Sequence, residues 1–329
     1  MTHFELRRIL WAVDPDEGKT PLLKKSIDVV SKLLKLPGVT VQPIYVLRNE
    51  GVLSRDFSFA WHEPYIQAAQ KSFRSFLSSL RLSGLAPGEV LYRETSSTRT
   101  SVDALSNYAF EKRADLIIAQ THGKKGLARF FVGSFAELLL MRSKVQVMLV
   151  NPSTETRRSG PVFDTILFPT DFGSRAYRNF QTAMDLAQNF KASRLCVYHA
   201  VRHPMDETSF FYTPTIGPMG YLPELYEQNF KQAQDRADRW KRAAQDRGVP
   251  VEMILERDVL KTADRILQIA RRKKAALIAM ESHSGPIGAF LLGSVTRKVV
   301  RAAPCPIWVF RPQRTRSSES LPSEGTQAA

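Results

Sequence analysis

Cysteine is scarce in this chain: two among 329 residues, Cys196 and Cys305. They sit in apolar runs at non-equivalent places, which excludes a disulfide framework and a thiolate metal site and leaves two small core residues. Long apolar runs are missing as well. None approaches the ~18 residues needed to span a bilayer, and Met1-Thr2-His3-Phe4-Glu5 has no secretory pattern. The expected location is cytoplasmic, with no membrane association. Neither paired carboxylates nor a metal-ligand cluster can be found, so no hydrolase or metal centre announces itself. The net charge is +15, but the basic residues are scattered among acids, as on a solvated surface. Without a helix-turn-helix, zinc-finger or aromatic RNA-binding signature beside that charge, nucleic acid ranks last among partners. The 43% apolar and 24% charged fractions are those of an ordinary globular protein.

What the chain does contain is itself, twice. Ile9-Leu10-Trp11-Ala12-Val13-Asp14 aligns with Ile166-Leu167-Phe168-Pro169-Thr170-Asp171. Leu116-Ile117-Ile118-Ala119-Gln120-Thr121-His122 aligns with Leu277-Ile278-Ala279-Met280-Glu281-Ser282-His283, and Gly133-Ser134 with Gly293-Ser294. Each copy is close to the ~150 residues of a usual domain and can bury a core of its own. The expected organisation is a first domain at 1–152, a linker at 153–162, a second domain at 163–312 and a Ser-, Pro- and Gly-containing tail at 313–329, read as disordered.

Within the first copy, short apolar strands at 9–13, 39–47, 89–93, 114–120 and 145–150 alternate with helical spacing at 22–36, 66–82, 101–113 and 134–142. The second copy repeats the order, with strands at 165–170, 195–201, 251–255, 275–280 and 307–310 and helices at 176–190, 224–247, 262–272 and 294–301. Strand-helix alternation predicts an α/β protein: two tandem doubly wound domains, each a five-stranded parallel sheet with helices on both faces.

Ligands of such sheets bind beyond the carboxyl ends of the strands, where strand order switches. Asp14, His122 and Gly123 are expected there. Nine residues after Gly123 comes Gly133-Ser134, which opens a helix. Glycines admit a ligand close to the backbone, and helix starts offer unpaired N–H groups to phosphate. Lys124 and Lys125 add positive charge.

With these residues in view, the chain resembles the universal stress proteins, specifically their tandem two-domain members, over Arg7 to Val150 and Thr165 to Arg311. The ATP-binding branch of that family carries Gly, two residues, Gly, nine residues, then Gly followed by Ser or Thr. Here the second and third glycines match Gly123 and Gly133, with Ser134 next, while Gln120 stands at the first. The resemblance implies that Asp14 meets an adenine flanked by Val46, while Gly123, Gly133 and Ser134 hold the ribose and phosphates of ATP or another adenine nucleotide, with Mg accompanying it and His122 among the residues of the site. It implies further that the two fifth strands lie side by side about a pseudo-twofold axis, as in a dimer of single-domain members.

The second copy departs further from the pattern. Asp171, His283, Gly293 and Ser294 keep the frame, but Glu281 and Ser284 replace the first two glycines and the loop is one residue shorter. A carboxylate where phosphate would lie opposes binding, so this site is expected to be degenerate. His122 and His283, lacking a placed nucleophile, read as turn-orienting histidines rather than general bases. Asp14 and Asp171 can be caps as readily as ligands, and Ser134 and Ser294 are expected as N-caps. Aromatic stretches at equivalent places, Phe57, Phe59, Trp61 and Tyr65, then Phe210, Phe211, Tyr212, Tyr221 and Tyr226, read equally as a partner surface or as locally folded clusters. The expected function is stress response through binding of adenine nucleotide or an unidentified protein partner. The alternatives are a scaffold without ligand and a slow ATPase, and further dimerisation of the two-domain unit stays open.

Overall fold

A computed structural model of the chain describes residues 3–18, 20–48, 62–93, 97–121, 134–155, 162–173, 176–201, 223–281 and 292–311. The first copy runs β1 (Arg8–Ala12), a 3-10 turn (Pro15–Glu17), α1 (Pro21–Leu33), β2 (Thr40–Arg48), α2 (His62–Ser79), β3 (Glu89–Arg93), α3 (Thr98–Glu111), β4 (Leu116–Gln120), α4 (Ser134–Arg142) and β5 (Gln146–Val150). The second runs β6 (Thr165–Pro169), α5 (Ala176–Asn189), β7 (Arg194–Val201), α6 (Pro223–Asp246), β8 (Val251–Arg257), α7 (Thr262–Arg272), β9 (Leu277–Glu281), α8 (Ser294–Ala302) and β10 (Ile307–Phe310). Within each copy the strand pairings are parallel, and β5 pairs antiparallel with β10, giving one sheet in the order β3-β2-β1-β4-β5-β10-β9-β6-β7-β8. The α/β tandem architecture is thus present, with its two sheets fused into one.

The period-2 alternation of strand side chains sorts the core into two layers. Ile9, Trp11 and Val13 face α1 and α2, and Phe168 faces α5 and α6 in the same layer. Leu10 and Leu167 point the other way, toward α3 and α4 and toward α7 and α8. Helix starts and stops are chemically marked. Thr20 caps α1 by accepting the Leu23 N–H at 3.1 Å, with Pro21 at the first helical position, where its missing donor costs nothing. At their carboxyl ends α3, α5 and α7 turn over through Arg113, Lys191 and Lys274, all at φ near +50° to +55°. Each is followed by a six-to-one bond, such as Ala114 N–H to the Ala109 carbonyl at 2.8 Å. Among the described residues α6 alone uses glycine there, Gly248 at φ +66°.

Three sequence expectations change. The apolar spacing of α1 continues to Leu36, but the helix ends at Leu33; Leu34 and Leu36 still pack on the core, from turns. Strand β8 runs on to Arg257, because Glu256 and Arg257 pair in the ladder with Ala200 and Val201; charged residues on an edge strand leave no apolar trace. The linker begins less freely than its composition implies. Asn151 and Thr154 are fully buried, the Asn151 amide donates to the Val300 and Ala303 carbonyls at 3.1 Å each, and Glu155 N–H reaches the Pro304 carbonyl. Those bonds satisfy carbonyls at the end of α8 that the helix itself leaves open.

The amino-terminal stretch of the first copy also crosses to the second. Phe4 is buried with its ring 6.1 Å from Trp308, edge-on. Its N–H donates to Asp185 Oδ2 at 2.8 Å, and Asn189 donates to its carbonyl at 3.0 Å. Asp185, on α5, is almost fully buried and takes Arg247 as its ion-pair partner.

Candidate functional site

In the first copy β1 lies between β2 and β4, so chain direction across the sheet reverses there; in the second copy β6 lies likewise between β7 and β9. These are the switch points at which a crevice opens beyond the strand ends. At the first, the ladder continues past the strands: Val13 N–H bonds the Ile44 carbonyl and Thr121 N–H the Val150 carbonyl, each at 3.0 Å. That places Asp14, Val46, Gln120 and Thr121 along one edge.

Asp14 leaves β1 in extended conformation, and its Oδ1 accepts the Asp16 N–H at 2.8 Å, opening the 3-10 turn that closes at Gly18, φ +65°. Tyr45 donates its hydroxyl proton to Asp16 Oδ2 at 3.1 Å. Burial, reinforced by the negative charges of Asp14 and Asp16, raises the Tyr45 hydroxyl far above the ordinary phenol range, so it remains a donor. Val46 is half-buried toward the α3 and α4 layer. Gln120 ends β4 opposite Val150 and is only 9% exposed; its amide oxygen is buried without a hydrogen-bond partner among the described residues. Ser134 is exposed and is the first helical residue of α4, not the N-cap expected of it. His122, Gly123, Lys124, Lys125 and Gly133 lie outside the described residues.

The second crevice is built differently. Asp171 is exposed and caps its own turn, Oδ1 accepting the Gly173 N–H at 2.7 Å. A Cβ at Gly173 would come 2.9 Å from that oxygen, which accounts for the glycine. Phe172 takes φ +55°, an uncommon conformation for a bulky residue, and tucks its ring in, 4.5 Å from His199 and 4.7 Å from Trp240 between centroids. Arg236 of α6 holds the Phe172 carbonyl at 2.8 Å. His199 Nδ1 donates to the Thr170 carbonyl at 2.8 Å, and burial lowers its pKa below the usual imidazole value, outweighing that bond. It is therefore neutral at physiological pH. Glu281 ends β9 at the position of Gln120, and its carbonyl accepts Thr296 Oγ1 at 3.3 Å. His283 lies outside the described residues.

Ser294 corrects an expectation. It is the first helical residue of α8 and not its cap; Gly293 occupies the cap position and offers no side-chain bond. Tyr65 sits in α2, which begins before the 66 expected of it, and Tyr226 in α6. Tyr65 packs edge-on against Tyr92 at 6.4 Å, and buried Tyr226 donates to Asp258 Oδ1 at 2.8 Å. The remaining aromatic-stretch residues, Phe57, Phe59, Trp61, Phe210, Phe211, Tyr212 and Tyr221, with Ser284, fall outside the described residues. The Phe172, His199, Trp240 and Arg236 cluster was missed by sequence reasoning, although the repeat alignment sets Phe172 against Pro15, a difference right beside the strand-end aspartate.

Both cysteines are buried, and burial, with the Glu252 charge, pushes the Cys196 thiol up to about 11, so it is no nucleophile. Among the described residues no group of three or more His, Cys, Asp or Glu could hold a metal ion, and no helix is long and apolar enough to cross a membrane.

The fold and the paired switch points define a tandem of doubly wound α/β domains. The model of the universal stress protein family matches residues 5–151 and again 163–311, and the chain belongs to that family. A universal stress protein of Thermus aquaticus is 34% identical over 155 residues, 46% of this chain and 100% of its own length. One of Methanocaldococcus jannaschii is 27% identical over 157 residues, 47% of this chain and 86% of its own. Among solved structures, a universal stress protein of Archaeoglobus fulgidus superposes with a TM-score of 0.63 at 16% identity, covering 93% of this chain and 98% of that one. A protein of unknown function from Pseudomonas aeruginosa gives 0.54 at 14% identity, with 94% and 93% covered. These two likenesses concern the fold.

Proposed function

We propose that this universal stress protein responds to stress in the cytoplasm by binding an adenine nucleotide in its first copy, the second serving as a structural partner. The observation that carries this reading is Gln120. A buried amide oxygen without a partner costs about 1–3 kcal/mol, and this one stands at the end of β4, which neighbours β1 at the switch point. A ligand bringing a donor to that spot would remove the cost. The start of α4 supplies N–H groups suited to phosphate, and any Mg²⁺ would arrive with the phosphates. In the second copy Glu281 adds a carboxylate and Phe172 fills space beside the strand end, which supports a site that no longer takes a nucleotide.

Isothermal calorimetry with ATP, ADP and AMP tests this. One saturable site per chain is expected, weakened at least tenfold in Asp14→Ala and unaffected in Asp171→Ala. Absence of saturable heat with all three nucleotides would replace this reading with a ligand-free scaffold. Turnover lost in Asp14→Ala would convert it to a slow ATPase.

A further inference from the structure

The line where the two copies meet is made of equivalent positions that differ chemically. The offset of 160 that relates Gly133-Ser134 to Gly293-Ser294 also carries Met148 to Trp308. Those two residues are cross-strand partners in the β5–β10 ladder, flanked by Val147 with Val309 and Leu149 with Ile307. The pseudo-twofold axis therefore passes through the Met148–Trp308 pair. The same offset carries Glu137 to Arg297, and these too face each other across the axis, from the first turns of α4 and α8, Arg297 Nε lying 2.8 Å from Glu137 Oε1.

Around the axis, among the described residues, the side-chain contacts of Gln146 and Asn151 are not repeated by the pseudo-symmetry. The Gln146 amide oxygen accepts the Trp308 indole N–H at 3.2 Å and the Arg311 N–H at 3.4 Å. The residue equivalent to Gln146 is Pro306, whose side chain can accept nothing. Asn151 spans to the end of α8, whereas its own equivalent is Arg311.

Self-pairing would lose all of this. Two first copies set β5 against β5 would oppose Glu137 to Glu137, give Met148 only another methionine, and leave the buried Gln146 amide without the indole donor. Two second copies would oppose Arg297 to Arg297 and force two indoles into the space that holds one indole and a thioether. Selectivity is a difference of affinities, and penalties on the wrong partner contribute as much as contacts with the right one. Like charges at the axis and an unsatisfied buried amide are such penalties.

We propose that this seam is built to accept only the complementary copy of the same chain, so that the fifth-strand edge offers no docking surface to a second molecule and the protein works as a closed single-chain pair. The inference is independent of any nucleotide. The test combines a mass measurement with a charge swap in the full-length protein. Sedimentation velocity at concentrations from micromolar to about a hundred micromolar should show a single monomeric species. Glu137→Arg and Arg297→Glu should each lower the melting temperature by about 1–3 °C, the size expected for a partly exposed pair turned repulsive in a chain of this length. The double variant, which restores opposite charges with their places exchanged, should recover at least half of that loss. Should either single variant fail to fold, Glu137→Gln, Arg297→Gln and their combination supply the same cycle without repulsion, the double costing less than the sum of the singles. Additive losses would overturn the complementary seam. A stable dimer would overturn the closed pair, whether or not the swap rescues stability.

Discussion

Asp185→Ala should unfasten the amino-terminal stretch from the second copy at a calculable cost. The carboxylate side chain is 6% exposed and accepts the Phe4 N–H at 2.8 Å. A hydrogen bond to a charged group contributes about 1.5–3 kcal/mol, and its removal leaves the Phe4 N–H buried. The Arg247 ion pair adds less, because Arg247 is 29% exposed and keeps a bond to Gln188 Oε1 at 2.7 Å; screening brings this part to about 1 kcal/mol or below. His3, 55% exposed and 3.4 Å from Asp185, adds little. The expected loss is about 2–4 kcal/mol, or roughly 3–6 °C in melting temperature for a protein of this size. Calorimetry and urea titration measure it, and limited proteolysis should show cleavage near Phe4 appearing in the variant. Phe4→Ala removes the same attachment from the other side, so the two changes together should cost clearly less than their sum. A loss below about 0.5 kcal/mol, or full additivity with Phe4→Ala, would refute the docking of residues 3–6 on α5.

Other expectations follow from the same geometry. Gln120→Gly, which removes the amide oxygen that a ligand's donor would satisfy, should weaken ATP at least threefold by calorimetry; tightening would refute Gln120 as a ligand contact. Arg113→Gly and Lys191→Gly relieve left-handed backbone at exposed positions and should each raise the urea midpoint, by roughly 0.5–1 kcal/mol equivalent. Glu252 and Glu256 on β8 have pKa values below their ordinary one, held down first by bonds from Lys273 and Arg265 respectively. Depressed carboxylates contribute stability that is complete above the unfolded value, near 4.5, and disappears as pH falls through the folded value. Unfolding of the second copy should therefore steepen below about pH 4.5, and the Glu252→Gln/Glu256→Gln variant should flatten that slope in urea titrations followed across pH 3 to 7.

The frame was readable because its signal is apolar and repeated. Leu116-Ile117-Ile118-Ala119 and Leu277-Ile278-Ala279-Met280 are strands buried on both faces, and such strands read as unbroken hydrophobic runs. What escaped is carried by polar or conformational chemistry. Arg113, Lys191 and Lys274 turn helices over in a conformation usually assigned to glycine, so no residue type marked those ends. Thr154 looks like linker and is core, as is Asn151 at the end of the first domain, since burial of an amide depends on carbonyls 149 and 152 residues away. At the site, Asp14 and Asp171 were legible as strand-end acids, while the difference between their surroundings was not. It arises from Tyr45 and Asp16 in one copy and from Phe172, His199 and Arg236 in the other, contacts that unite residues up to 64 positions apart.

The antiparallel junction of β5 with β10 sets where the two mouths look. Five strand steps separate β1 from β6, roughly 24 Å at the usual spacing, and sheet twist accumulates to about 100–125° over that span. Because strand direction inverts at the junction, one mouth opens on one rim of the sheet and the other on the opposite rim. No small ligand can bridge them, and a body resting on one rim meets a single mouth. The duplicated protein therefore presents two unlike ends to its surroundings, with a head and a tail that a symmetric pair of identical chains would lack.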